Sequence, residues 1–169
     1  MEKTYLTANQ FQQDSISLAT KTLKAYKPDL ILALWRGGAT PAIILTEVFE
    51  YLYNQEVESD IVKISHYHNL EKRVAVVNPI NIPNLEHKNH ILLVDDVFDT
   101  GNSIKEAFNL LTLITKAEIK VATVYYKPEN NQTNLKPDFF YKTIDSWLVF
   151  PHEINGLSKE DLLHKPDFF

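Results

Sequence analysis

Residues 91–104 read ILLVDDVFDTGNSI. The apolar run Ile91–Val94 suits a buried strand, and it leads into three carboxylates, Asp95, Asp96 and Asp99, then into Thr100-Gly101-Asn102-Ser103. A loop of hydroxyls and glycine that opens a helix offers amide hydrogens and the positive end of the helix dipole to an anion. Acids beside an anion site call for a ligand with two chemistries. Asp95 and Asp96 could accept hydrogen bonds from vicinal sugar hydroxyls, or bind a Mg²⁺ that also touches a pyrophosphate. A sugar diphosphate carries all of these parts.

Outward from this stretch, strands and helices alternate. Thr7-Ala8-Asn9-Gln10 has the spacing of a capping box, and Phe11, Ile16, Leu18, Ala19 and Leu23 follow a helical stripe, so a helix is expected over about 8–26. Lys27-Pro28-Asp29 breaks it, and Leu30–Trp35 reads as a buried strand. Thr40-Pro41, a hydroxyl cap followed by proline at the first turn, predicts a second helix to about Tyr53, and Asn102 begins a third to about Thr115. Further strands are expected near Ile61–Ser65, Val74–Val77, Ile91–Val94, Val121–Tyr126 and Phe139–Lys142. The alternation implies an α/β fold with a mainly parallel sheet covered on both faces. Lys-Pro-Asp recurs at 27–29, 136–138 and 165–167, each time as a turn before an extended segment rather than as a duplication.

A chain of 169 residues is expected to form one domain. The sequence has no cysteine, which excludes disulfides, thiolate metal sites and cysteine nucleophiles. Glu2-Lys3-Thr4 begins no leader, and no apolar run reaches the ~18–20 residues of a membrane span, so a cytoplasmic protein is expected. A net charge of −5 without a Lys or Arg block disfavours nucleic acid as a partner.

The chain has four glycines, Gly37, Gly38, Gly101 and Gly156, and the first three follow predicted strands. In an open α/β sheet, ligands bind at the carboxyl ends of strands. Trp35-Arg36-Gly37-Gly38 and Asp99 to Ser103 are thus candidate halves of one site, with the planar fork of Arg36 suited to phosphate oxygens. Neither G-x-x-x-x-G-K-[ST] nor G-x-G-x-x-G occurs, which disfavours P-loop and dinucleotide enzymes.

Leu92 to Ser103 resembles the phosphoribosyl-pyrophosphate (PRPP) motif of type I phosphoribosyltransferases, and the strand before Arg36-Gly37-Gly38 resembles the pyrophosphate loop of that family. Lys127-Pro128 and Asp145-Ser146-Trp147-Leu148-Val149-Phe150-Pro151 extend the resemblance to the xanthine-guanine and hypoxanthine enzymes, over roughly Leu30 to Glu153. It implies a Rossmann-like core over about 27–142 and a small C-terminal hood over about 143–169. Asp95 and Asp96 would handle ribose hydroxyls and the cofactor Mg²⁺, Asp99 would accept a proton near purine N7, and Thr100, Gly101, Asn102 and Ser103 would cup the 5′-phosphate. Arg36, Gly37 and Gly38 would hold pyrophosphate, and Lys127, Trp147 and Leu148 would meet the purine, Lys127 at its 6-oxo group. A lid is expected near His66 to Arg73, with Lys72 or Arg73 closing on pyrophosphate. Trp35 departs from the small residue common in the family, and His152 precedes Glu153 where an aromatic often follows the proline. His66/His68 and His87/His90 come without a third metal ligand, and catalytic zinc is not expected.

The implied reaction is displacement at ribose C1 by a purine nitrogen, with PRPP and a 6-oxopurine as partners and a dimer or tetramer as the assembly. The rivals are a regulator that senses PRPP or nucleotide, and a transferase for another base. The acidic charge and the presence of Asp99 argue against the regulator.

Overall fold

The structure is a computed structural model that describes residues 3–69, 72–77 and 85–166, with backbone alone for 65–69 and 72–77. Its elements in chain order are β1 (Lys3–Tyr5), α1 (Ala8–Ala25), β2 (Leu30–Trp35), α2 (Ala39–Tyr53), β3 (Glu58–Asn69), β4 (Lys72–Val77), β5 (His90–Phe98), α3 (Asn102–Ile114), β6 (Glu118–Tyr126), β7 (Phe139–Thr143), β8 (Trp147–Val149) and α4 (Lys159–His164). Single 3₁₀ turns lie at Leu85–His87 and Pro128–Asn130.

Six strands form one sheet in the order β4-β3-β2-β5-β6-β7, parallel throughout except for the antiparallel β3–β4 pair. Side chains alternate across a strand, so successive apolar residues feed opposite layers. Ile31, Ala33, Leu92, Val94, Ala122 and Val124 pack under α1 and α2, against Phe11, Leu18, Leu23, Leu45 and Phe49. Leu30, Leu32, Leu34, Ile91, Leu93 and Val121 pack on the other face with Ile104, Ala107 and Leu111 of α3. Both faces are covered, which is why these strands read as unbroken apolar runs.

Local chemistry explains the helix ends. Thr7 caps α1 by accepting from the Gln10 amide at 2.9 Å, and Pro28 stops its continuation. Buried Asp14 of α1 accepts from Tyr125 OH at 2.7 Å and Lys142 Nζ at 3.0 Å, which ties the helix to the sheet. The second helix starts one residue before the hydroxyl expected to cap it: Ala39 is its first residue, Gly38 is its cap, and Thr40 makes no cap bond. The loop is too tight for the later start, because a Cβ at Gly38 would sit 2.8 Å from the Leu34 backbone and overlap the Val94 carbonyl. Pro41 still falls in the first turn, where no intrahelical donor is lost.

The hood contains elements the periodicity does not predict. Strands β1 and β8 pair in parallel, Lys3 with Trp147 and Tyr5 with Val149, as a two-stranded sheet of their own. Helix α4 carries a capping box in which Asp161 and Ser158 satisfy each other's backbone amides. Asp161 also accepts from Lys3 Nζ at 2.6 Å and Tyr5 OH at 2.7 Å, joining α4 to β1.

Candidate active site

Strand β5 ends in the acidic pair. Asp96 is buried and Asp95 partly so; the Asp96 amide donates to Asp95 Oδ1 at 2.9 Å and the Val97 amide to Asp96 Oδ1 at 2.7 Å. Burial, and then the neighbouring Asp96 charge, push the Asp95 carboxyl well above the ordinary carboxylate range. Burial likewise raises Asp96 to about 6, with the Glu153 charge adding to it. A basic side chain near the pair is His152, whose Nε2 lies 3.8 Å from Asp96 Oδ2. Burial pushes the His152 pKa down, so the imidazole supplies little positive charge.

The loop after β2 lies directly against this pair. A Cβ at Gly37 would fall 2.5 Å from Asp96 Cγ and Oδ2, so glycine is what admits the carboxylate. The Trp35–Arg36 peptide is cis. Arg36 is exposed and has no ion-pair partner among the described residues. Its guanidinium is open to an anion.

The third element is the start of α3. Gly101 has φ +78 in the left-handed region, and a Cβ there would also run into the Phe98 ring. Gly101 at the cap has no side chain to bond the helix start, and the Asn102 amide, the first of α3, lies 3.4 Å from Thr100 Oγ1, with Ser103 next to it in the first turn. Arg36, Gly37, Asp95, Asp96 and Ser103 line a cleft of about 690 Å³ whose opposite wall is His152 to Asn155 of the hood. These residues fall in the hood expected over about 143–169, and they include the His152-Glu153 departure from the family pattern. His152 is set by contacts to Phe150 (5.5 Å, stacked) and Phe11 (6.0 Å), which sequence spacing does not report.

A second cluster sits just after the ends of β5 and β6 and at the start of β8, off the lining of that cleft. Lys127 is buried, with Nζ 3.3 Å from Asp99 Oδ2 and 5.6 Å from the centroid of the half-exposed Trp147 ring. Asn130, which has no distinguishing sequence signal, donates from Nδ2 to Asp99 Oδ1 at 2.8 Å. Leu148 points into the core rather than into either cluster. Among the described residues no group of three His, Asp or Glu side chains converges as a metal site. The expected lid, His66 to Arg73, has its side chains outside the described residues; its backbone sets Asn69 opposite Lys72 and His68 opposite Arg73.

The chain is similar to known proteins along most of its length. Residues 2–156 match the phosphoribosyl transferase domain family. The chain is 30% identical over 152 residues to a xanthine-guanine phosphoribosyltransferase of Idiomarina loihiensis, covering 89% of this chain and 87% of the relative. It is 28% identical to a hypoxanthine-guanine phosphoribosyltransferase of Lactococcus lactis, covering 88% and 80%. The crystal structure of a purine phosphoribosyltransferase from Pyrococcus horikoshii superposes with a TM-score of 0.77 at 31% identity, over 94% of this chain and 99% of that one. Matched by the family over residues 2–156 and by a solved fold over 94% of its length, the chain belongs to the phosphoribosyl transferase domain family.

Proposed function

We propose that the protein transfers the 5-phosphoribosyl group of PRPP to a 6-oxopurine, giving a nucleoside 5′-monophosphate and pyrophosphate in purine salvage. The observation that carries the reading is the Lys127–Asp99–Trp147 cluster, in which Asp99 follows the acidic pair of β5 by three residues and precedes the glycine turn that starts α3. In this reading 1–169 is a single domain, and the family match over residues 2–156 supports it. A cytoplasmic setting belongs to the same proposal; no described helix is long and apolar enough to cross a membrane.

The C1–N bond forms as the C1–O bond to pyrophosphate breaks, and positive charge develops on the sugar. Asp95 and Asp96 bind the ribose hydroxyls and stabilise that charge, most strongly where the hood excludes water. Their hard oxygens, with little protein counter-charge, fit Mg²⁺, which takes one or two carboxylates and completes its shell with substrate phosphates and water. When bound it neutralises the departing pyrophosphate. Thr100 to Ser103 hold the 5′-phosphate and Arg36 to Gly38 receive pyrophosphate, while Lys72 or Arg73 closes over it. Asp99 takes the purine proton as the ring nitrogen attacks. Lys127 donates to the 6-oxo oxygen, Trp147 stacks on the ring, and Leu148 contributes its backbone, since its side chain is buried.

Base choice tests the reading. An ammonium cannot accept from a 6-amino group, and such a buried mismatch costs on the order of 1–3 kcal/mol. With Mg²⁺ and PRPP, at least one of hypoxanthine, guanine and xanthine is converted and adenine little or not at all. Lys127→Ala lowers activity and narrows the gap, whereas Trp147→Ala weakens all bases alike. Equal use of adenine by the parent enzyme removes the Lys127 assignment. A homo-oligomer is part of the proposal: exposed Trp35, Ile43 and Ile61 border an apolar groove of about 460 Å³, a surface a second copy would cover. Sedimentation of the parent and of Ile43→Glu reads this directly, with the variant expected to dissociate.

A further inference from the structure

The segment after β6 runs alongside the loop that follows β5. The Lys127 amide donates to the Phe98 carbonyl at 2.9 Å and the Gln132 amide to the Thr100 carbonyl at 3.0 Å. Asn102 Nδ2 donates to Gln132 Oε1 at 3.3 Å, and between these sits Asn130 Nδ2, 2.8 Å from Asp99 Oδ1. The Asn130 amide itself closes the 3₁₀ turn onto the Lys127 carbonyl at 3.2 Å.

From this geometry we propose that Asn130 is the positioning residue for Asp99, fixing the rotation of its carboxylate so that Oδ2 is presented to Lys127 and to the purine. The segment is docked by backbone bonds from Lys127 and Gln132, which any side chain at 130 would preserve. The Asn130 side chain is therefore not needed to hold the loop. Its bond goes to one carboxylate oxygen, and a carboxylate can meet only the donor end of an amide, which fixes the orientation of Asn130 as well. A neutral donor suits the task, since a second cation beside Lys127 would hold Asp99 charged and weaken it as a proton acceptor.

The inference rests on the reading of Asp99 as proton acceptor, and steady-state kinetics of the full chain with Mg²⁺, PRPP and the parent's best 6-oxopurine separate the two. Asn130→Leu removes the donor at similar volume and is expected to lower kcat roughly ten- to a hundredfold, the scale of a misplaced reacting group, with KM for PRPP within about twofold. In an Asp99→Asn background the same substitution should change kcat by less than about threefold, because the two residues act as one unit. Asn130→Asp, isosteric with the native side chain, is the second variant should the leucine protein not fold. It sets carboxylate against carboxylate and lowers kcat while PRPP binding holds. Parental kcat in either Asn130 variant, or an undiminished penalty in the Asp99→Asn background, overturns the positioning role. Parental turnover in Asp99→Asn alone instead removes the proton-acceptor reading, and absence of turnover by the parent with every purine removes the function itself.

Discussion

Two carboxylates buried side by side destabilise the protein that holds them. The Asp96 carboxyl is raised to about 6 from an ordinary 3.8, so the folded protein keeps a proton that the unfolded chain has released between those values. The sign follows from that: the penalty is full above about pH 6 and fades as pH falls toward 3.8. Replacing both Asp95 and Asp96 with Asn is expected to raise thermal stability at pH 7.5 by on the order of 1–3 kcal/mol, and by less at pH 5. The same variant should lose the Mg²⁺-dependent protection that PRPP gives the parent, since a hard cation prefers charged oxygens. Thermal unfolding at both pH values, with and without Mg²⁺-PRPP, makes the measurement; a variant less stable than the parent at pH 7.5, still protected, would show the pair to be structural. Asp99 is proposed to act differently, through one proton. Asp99→Asn is expected to lower turnover by two to four orders of magnitude, roughly the contribution of a positioned acid or base, while protection by PRPP survives.

The hood is held by elements of three to six residues, and its anchor is Asp161. Bonds from Lys3 Nζ, and then from Tyr5 and Ser158, hold that carboxyl well below its ordinary range. A depressed carboxyl contributes stability that is present above the unfolded value and lost as pH falls through the folded one. Asp161→Asn should therefore lower the melting temperature at neutral pH, and the difference from the parent should shrink as pH falls below about 3.8; a constant difference from pH 7 to 3 would discount the ion pair. These elements also mark where sequence reading ran out. Leu30–Trp35 and Ile91–Val94 are legible because a strand buried on both faces must be apolar at every position. Lys3–Tyr5 and Trp147–Val149 span too few residues to show a period, and their pairing is set by Asp161 and Ser146 far along the chain. The start of α2 was misread because Thr40-Pro41 carries the local signal, while the packing of Gly38 against Leu34 and Val94 decides the boundary. In the site, Arg36 and Asp95 to Ser103 stand on consecutive strand ends and announce themselves by residue type. Asn130 and His152 arrive through loops, whose course is a tertiary property.

At the scale of the molecule, the strand ends of the sheet and residues 152–155 of the hood line one cleft, and in the proposed function the sheet would hold the phosphate and ribose groups. The division is testable by removing residues 1–5, which takes away the partner of β8 and the lysine and tyrosine on Asp161. Protection by Mg²⁺-PRPP is expected to persist and base turnover to be lost, read by thermal shift and product formation in parallel; equal loss of both would mean that the sheet depends on the hood. Strand β1 also places the protein on a clock. Thr4 and Ser146 bond across a sequence separation of 142 residues. At a ribosomal pace of about 5–20 residues per second, β1 waits roughly seven to thirty seconds for its mate. Until then a three-residue edge stands open, able to pair with a foreign strand. During biosynthesis, then, the sheet can be complete while the hood has still to be assembled, and any slowing of translation before Trp147 lengthens that exposure.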